Sequence, residues 1–390
     1  MNRLLQECEE LYDRIVSLRR EIHASPDLGM ECSETIARIT TMLSEEAIPF
    51  TVTEHGGVVA SVTGTSGPSD YVILLRSDMD ALPLNEETGL EFASKIPGRM
   101  HACGHDMHTA IMAGASILLN RHRSDFAGSV RLLFQPGEEI SEGAARMIED
   151  GVMEGVSMVY GLHMDPLAPA GILRLKAGPD WAAVDRFTIT IHGKSSHGAM
   201  PHKGADATVA ASAVLQAIQT IVSRASDPVS PLVITVGTLR SGTTWNIISD
   251  LAVMEGTCRS FDPELYDQIP SLLERAVTEI PKGYGCTGEL KLIRKTPPLQ
   301  NDPEVYELAR SSAVKVLGEA RVQTAEREMI GEDFACFQKY APVCFVHLGG
   351  GAGRPLHSSQ VIFQEESIKA GMAVEVQFAL DALNALNQNS

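Results

Sequence analysis

The sequence lacks any apolar run long enough to cross a bilayer, which excludes an α-helical membrane span. It also lacks positive charge in excess. The formal net charge is −18, a field that repels nucleic acid and anionic lipid and favours solubility. No pair of CxxC motifs is present, so a structural zinc ribbon is not expected. The seven cysteines are odd in number and irregular in spacing, which argues against a disulfide framework and for reduced thiols. The N-terminal stretch "MNRLLQECEELYDRIVSLRREIH" is charged throughout and has no signal-like apolar segment, so a cytoplasmic location is expected. No internal repeat or low-complexity segment stands out.

What is present is a chain of 390 residues, 44% hydrophobic and 21% charged. That composition is ordinary for a globular protein, and the length exceeds what one hydrophobic core usually supports, so two domains are expected. Residues 2–24 and 33–47 read as amphipathic helices. Continuous apolar strands are expected within 71–83, 129–141, 157–166 and 342–351. Such strands between helices indicate an α/β domain with a mainly parallel sheet covered on both faces. Ligands bind beyond the carboxyl ends of such strands, and three of these four run directly into Asp, Glu or His.

The middle of the chain has a different rhythm. Residues 184–193 alternate apolar and polar, 205–226 read as a helix, and 231–240 and 251–262 read as strands. A helix over 263–281 and a strand over 288–295 complete the order βαββαβ, a ferredoxin-like α+β unit. The expected organisation is a discontinuous domain of residues 1–181 and 296–390, with 182–295 inserted.

The stretch "HACGHDMHT", residues 101–109, poses the chemical question. Cys103 can be read as a nucleophile, half of a disulfide, a buried thiol or a metal ligand. Cys103, His105, Glu139, His163 and His357 lie on separate stretches of the α/β domain, mostly just after strands. Asp78, Asp80, Asp106 and Glu138 are nearby carboxylates that could orient ligands or act as a base. Imidazole, carboxylate and thiolate together suit zinc or a similar first-row ion. Five donors exceed what one tetrahedral catalytic ion takes from protein; two ions sharing a bridge would use them all. His122, His192 and His347 are read as ordinary core or surface histidines, and Cys258, Cys286, Cys336 and Cys344 as inert thiols. "GGGAG" at 349–353 is read as a turn presenting His357.

The motifs "RSDMDALP", "MHACGHDMHTA", "FQPGEE", "GLHM", "GKSSHGAMPH", "NIISD…MEGTCRSFD", "GEDF" and "PLHSS" occur in the order found in a known family. Over nearly the whole chain the sequence resembles the amidohydrolase branch of the di-zinc carboxypeptidase/aminoacylase family, which includes hippurate hydrolases, N-acyl-amino-acid amidohydrolases and auxin-conjugate hydrolases. The resemblance implies a catalytic domain carrying a lid or dimerisation domain. It implies Cys103 as a thiolate bridging two divalent ions, His105 and His163 completing one set, and Glu139 and His357 the other. Zinc is the first expectation, with manganese, cobalt or nickel as alternatives. Glu138 is then the general base, and Asp80 accepts a hydrogen bond from a ligand histidine. From the lid, His197 would stabilise the oxyanion, Arg259 would hold the substrate carboxylate, and Asn246 would add a hydrogen bond.

The expected reaction is hydrolysis of a small N-acyl-L-amino acid. A dipeptidase or carboxypeptidase on the same scaffold is the alternative. Neither a nucleic acid nor a membrane is an expected partner, and a homodimer or higher homo-oligomer through the lid is implied, in some relatives with the lid histidine supplied by the second copy. Met107, Ser195, Ser196 and Ser359 depart from the family's usual residues without removing any implied ligand.

Overall fold

The computed structural model describes residues 3–351 and 353–388. The chain forms two compact units. One comprises Met1–Gly178, Gln300–Glu326 and Cys336–Ser390, the other Pro179–Leu299 and Arg327–Ala335. The second unit therefore takes in residues 327–335, which the sequence reading assigned to the larger domain. The cause is a set of backbone pairings with no sequence period: Ala182 N–H donates to Ile330 O at 2.9 Å and Glu328 N–H to Asp180 O at 3.2 Å.

In chain order, the strands of three residues or more are β1 Phe50–Val52, β2 Val58–Thr63, β3 Val72–Asp78, β4 Ser129–Gln135, β5 Val156–Asp165, β6 Leu173–Leu175, β7 Val184–His192, β8 Leu232–Ser241, β9 Leu251–Ser260, β10 Thr287–Thr296, β11 Val322–Thr324 and β12 Val343–Gly349. The helices are α1 Arg3–Ala24, α2 Ser33–Glu45, α3 His105–Arg121, α4 Gly143–Glu149, α5 Ala207–Thr220, α6 Pro263–Glu279, α7 Pro303–Leu317 and α8 Ser367–Gln388.

The larger unit is built on an eight-stranded sheet of order β1-β2-β4-β3-β5-β12-β6-β11. Its centre, β4-β3-β5-β12, is parallel. β1, β2 and β4 pair antiparallel, as do β12 and β6. Every residue of β12 is buried, which a strand achieves only when both faces of its sheet are covered. α3 is buried from His105 to Leu119; beyond its polar first turn it is apolar on nearly every side, as suits a helix inside a core. Tyr160 of β5 stacks on Phe378 of α8 with ring centroids 4.4 Å apart, and both belong to one apolar cluster with Ile15, Ile111 and Met372. "GGGAG" begins at the last residue of β12, with its Ala352 outside the described residues.

The smaller unit runs β7-α5-β8-β9-α6-β10, with antiparallel sheet order β8-β9-β7-β10. Phe187, Ile189 and Ile191 alternate along β7 and bury one face. Leu265, Ile269, Leu273 and Val277 recur every fourth residue on α6 and pack into the same cluster. Asp206 and Asp262 cap α5 and α6, each accepting two backbone N–H groups.

Candidate active site

The carboxyl ends of β3, β4 and β5 deliver the site's side chains in order. β3 ends on Asp78, with Asp80 two residues on; β4 leads into Gly137, Glu138 and Glu139; β5 carries His163. α3 begins at His105, one residue after Gly104.

Two glycines shape these loops. Gly104 has φ 88°, and a Cβ there would lie 3.1 Å from both Met164 Cβ and the Phe363 ring. This tight left-handed corner turns Cys103 and His105 toward the same point. Gly137 has φ 77°, and its Cβ would meet Met30 Sδ at 2.3 Å. His357 also lies in the left-handed region, at φ 62°. Its N–H donates to Ala102 O at 2.9 Å, fastening its turn to the Cys103 loop.

Asp80 organises the site in two ways. Its carboxylate accepts the N–H of Glu138 at 3.0 Å and of Glu139 at 3.2 Å. Its backbone carbonyl, at 2.7 Å, accepts the Nδ1–H of His105. The histidine contact expected of Asp80 is thus made by its backbone, while its carboxylate lies 3.6 Å from His105 Nδ1 and holds the glutamate turn. His163 Nδ1–H donates to Met164 O at 2.8 Å, leaving Nε2 to face Cys103 Sγ at 3.5 Å.

The donor atoms of Cys103, His105 and His163 lie within 4.8 Å of one another, and so do those of Cys103, Glu139 and His357. Cys103 belongs to both trios. His105 Nε2 and Glu139 Oε1 are buried without a hydrogen-bond partner, an expensive arrangement unless something else binds them. Glu138 Oε2 is 4.0 Å from His105 Nε2, and His357 Nε2 is 3.6 Å from Glu139 Oε2. Thiolate, imidazole and carboxylate donors so arranged fit a zinc-type ion.

The electrostatics agree. Burial opposes the His105 cation, but Asp78, Asp80 and Glu139 outweigh it and raise the pKa to about 10. Burial raises Glu139 to about 7 against the pull of His105, with Asp80 and Asp78 adding to the rise. Burial, with His108 and His105 nearby, keeps His163 well below its usual range. An acidic pocket that favours an extra proton also favours a divalent cation, and a neutral His163 is the form that binds metal.

Arg76 escapes the sequence reading. Arg76, buried on β3, donates to Asp78 at 2.8 Å and to Gln135 at 2.9 Å. His108 Nδ1 lies 2.5 Å from the other Asp78 oxygen. The available signal was an arginine inside an apolar strand, which needs a buried acid. His101 is buried, and Asp106 is held by Arg19 at 2.7 Å and His23 at 2.8 Å.

His197, Asn246 and Arg259 belong to the smaller unit. His197 is exposed and pairs in a short ladder with Ile247, next to Asn246, whose carbonyl accepts the Gly198 N–H at 2.8 Å. Arg259 is half-buried on β9, with Nη1 2.8 Å from Thr257 Oγ1. It makes no ion pair among the described residues, so its guanidinium has capacity for a carboxylate.

Residues 74–381 match the model of peptidase family M20/M25/M40. The chain is 38% identical to the N-acetylcysteine deacetylase of Bacillus subtilis, over 96% of this chain and 98% of that protein. It is 35% identical to thermostable carboxypeptidase 2 of Saccharolobus solfataricus, over 98% and 99% of the two chains. Its fold matches the crystal structure of the Bacillus subtilis YXEP protein, described as a dinuclear metal binding peptidase, with TM-score 0.86 at 35% identity, covering 96% and 99% of the two chains. The chain therefore belongs to the peptidase family M20/M25/M40, hydrolases of amide bonds.

Proposed function

We propose that the protein hydrolyses N-acyl-L-amino acids at a centre for two divalent ions. One ion is assigned to Cys103, His105 and His163, the other to Cys103, Glu139 and His357. The observation that carries this reading is that Cys103 is common to both trios of converging donors. Zinc fits the donors best, and manganese, cobalt and nickel are tolerable. Ions bound there supply an activated water and polarise the scissile carbonyl.

The protein's own groups do the rest. Glu138 takes the proton of the attacking water and passes it to the departing nitrogen. Asp80 fixes the backbone of both glutamates, and it is Glu139, not Glu138, that shares a trio with Cys103. His197 donates to the developing oxyanion, Arg259 receives the substrate carboxylate, and Asn246 adds a hydrogen bond. Similarity to a protein named as an N-acetylcysteine deacetylase supports an acyl-amino-acid substrate.

A carboxypeptidase or dipeptidase activity is the second reading, favoured by the similarity to a thermostable carboxypeptidase. β8 and β10 are the outer strands of the smaller unit's sheet. Their open edges favour a homodimer or higher homo-oligomer through that unit. Seven cysteines with no disulfide among the described residues suit a reducing, cytoplasmic setting.

The test is a kinetic panel on metal-reconstituted protein. It compares acetyl-, benzoyl- and indoleacetyl-amino acids with dipeptides, with and without chelator. The proposal predicts higher kcat/KM on the acyl-amino acids and loss of activity on chelation. Faster turnover of dipeptides replaces it with the second reading, and activity that survives full metal removal sinks both.

A further inference from the structure

His108 is buried and adjoins the pocket without belonging to either of the donor trios assigned above. Its two ring nitrogens have different partners. Nε2 lies 2.7 Å from the backbone N of Met164, which can only donate, so Nε2 accepts and the ring proton sits on Nδ1. Nδ1 in turn donates to Asp78 Oδ1 at 2.5 Å. The geometry thus fixes one neutral tautomer.

Each partner touches a different ligand histidine. The other oxygen of Asp78, held by Arg76 at 2.8 Å, lies 3.5 Å from His105 Nε2. Met164 receives the Nδ1–H of His163 on its carbonyl, so clamping the Met164 N–H steadies the residue that orients His163. The His108 ring centroid is 5.3 Å from that of His105 and 4.7 Å from that of His163. One imidazole therefore spans the end of β3 and the end of β5, beside both histidines.

We infer that His108 is a positioning residue for the proposed metal centre, steadying His163 through Met164 and fixing the Asp78 carboxylate beside His105 Nε2. This rests on the two-ion reading above. Groups that hold metal ligands from behind typically change affinity or activity by about 10- to 100-fold when removed.

The experiment uses full-length protein, stripped of metal and titrated with Co2+. It reads affinity and the thiolate-to-cobalt absorption band, alongside the melting temperature of the metal-free form. H108N keeps a donor near Asp78, H108Q keeps an acceptor near the Met164 N–H, and H108L keeps neither. The expected order of Co2+ affinity is wild type, then H108N and H108Q, then H108L, which loses about 10- to 100-fold. The cobalt band should shift in all three variants. H108L binding Co2+ with wild-type affinity and spectrum overturns the role. If H108L does not fold, H108N and H108Q decide: wild-type affinity and spectrum in both overturn it, and a shift in either while the metal-free melt is unchanged supports it. A wild-type protein that takes up no Co2+ overturns the two-ion reading, and the positioning role with it.

Discussion

At the scale of single residues, the two adjacent glutamates carry the clearest expectation. Their N–H groups are bound by the same Asp80 carboxylate, yet only Glu139 reaches both His105 and His357 while sharing a trio with Cys103. Glu138→Gln should therefore retain its metal by elemental analysis while kcat falls about 10²- to 10⁴-fold. Cys103→Ser should behave differently, losing metal affinity together with rate in a Co2+ titration. A nucleophile substitution would lose rate alone. The donor residues could be named from the sequence because their motifs, in type and order, resemble those of a known family, although Cys103 and His105 stand at the entry to α3 rather than after a strand. The His105 contact to the Asp80 carbonyl was not, because a backbone carbonyl leaves no mark on residue identity. Nor was the Arg76–Asp78–His108 chain, since ring tautomers are set by which donors surround them in three dimensions.

At the scale of elements, the junction into α3 is the sensitive point. Gly104 combines a left-handed backbone with near contact to Met164 and Phe363. Gly104→Ala should cost about 1–3 kcal/mol of stability and weaken metal binding, since Cys103 and His105 flank it. Thermal melts of the metal-free form and Co2+ titration of the same variant check the two effects. α6 could be read from its four-residue spacing of apolar side chains because only one of its faces is buried. α8 has no such stripe: it is buried on most sides, including at Glu375, and the expected elements omit it. The short strands β1, β2, β6 and β11 are also absent from the sequence reading. Three-residue strands such as β1, β6 and β11 offer too few positions for a period of two to show.

At the scale of the whole molecule, the insertion was legible because βαββαβ order differs from its surroundings. The return of residues 327–335 to the smaller unit was not, since it depends on backbone pairing alone. That unit has its own pH response. Burial raises Asp185 from 3.8 to about 6 against the pull of Arg294, whose Nε is 3.6 Å away. A raised carboxyl pKa means the folded state favours the proton, so folding free energy is lost as pH climbs from 3.8 to about 6 and stays lost above it. Asp185→Asn removes this titration. Urea unfolding should show the variant gaining on wild type between pH 4 and pH 7 by an amount on the order of 1–2 kcal/mol.

Sheet order has a further consequence for how the chain is made. β12 lies between β5 and β6 yet is the last strand of its sheet to be synthesised. A nascent chain on the ribosome thus exposes two unpaired strand edges until residue 349 has emerged, a state prone to mispairing. His357 emerges later still, so the Cys103–Glu139–His357 trio cannot be complete before it. Ribosome-stalled chains ending before Val343 should be protease-sensitive across residues 129–175, whereas the released chain should resist cleavage there.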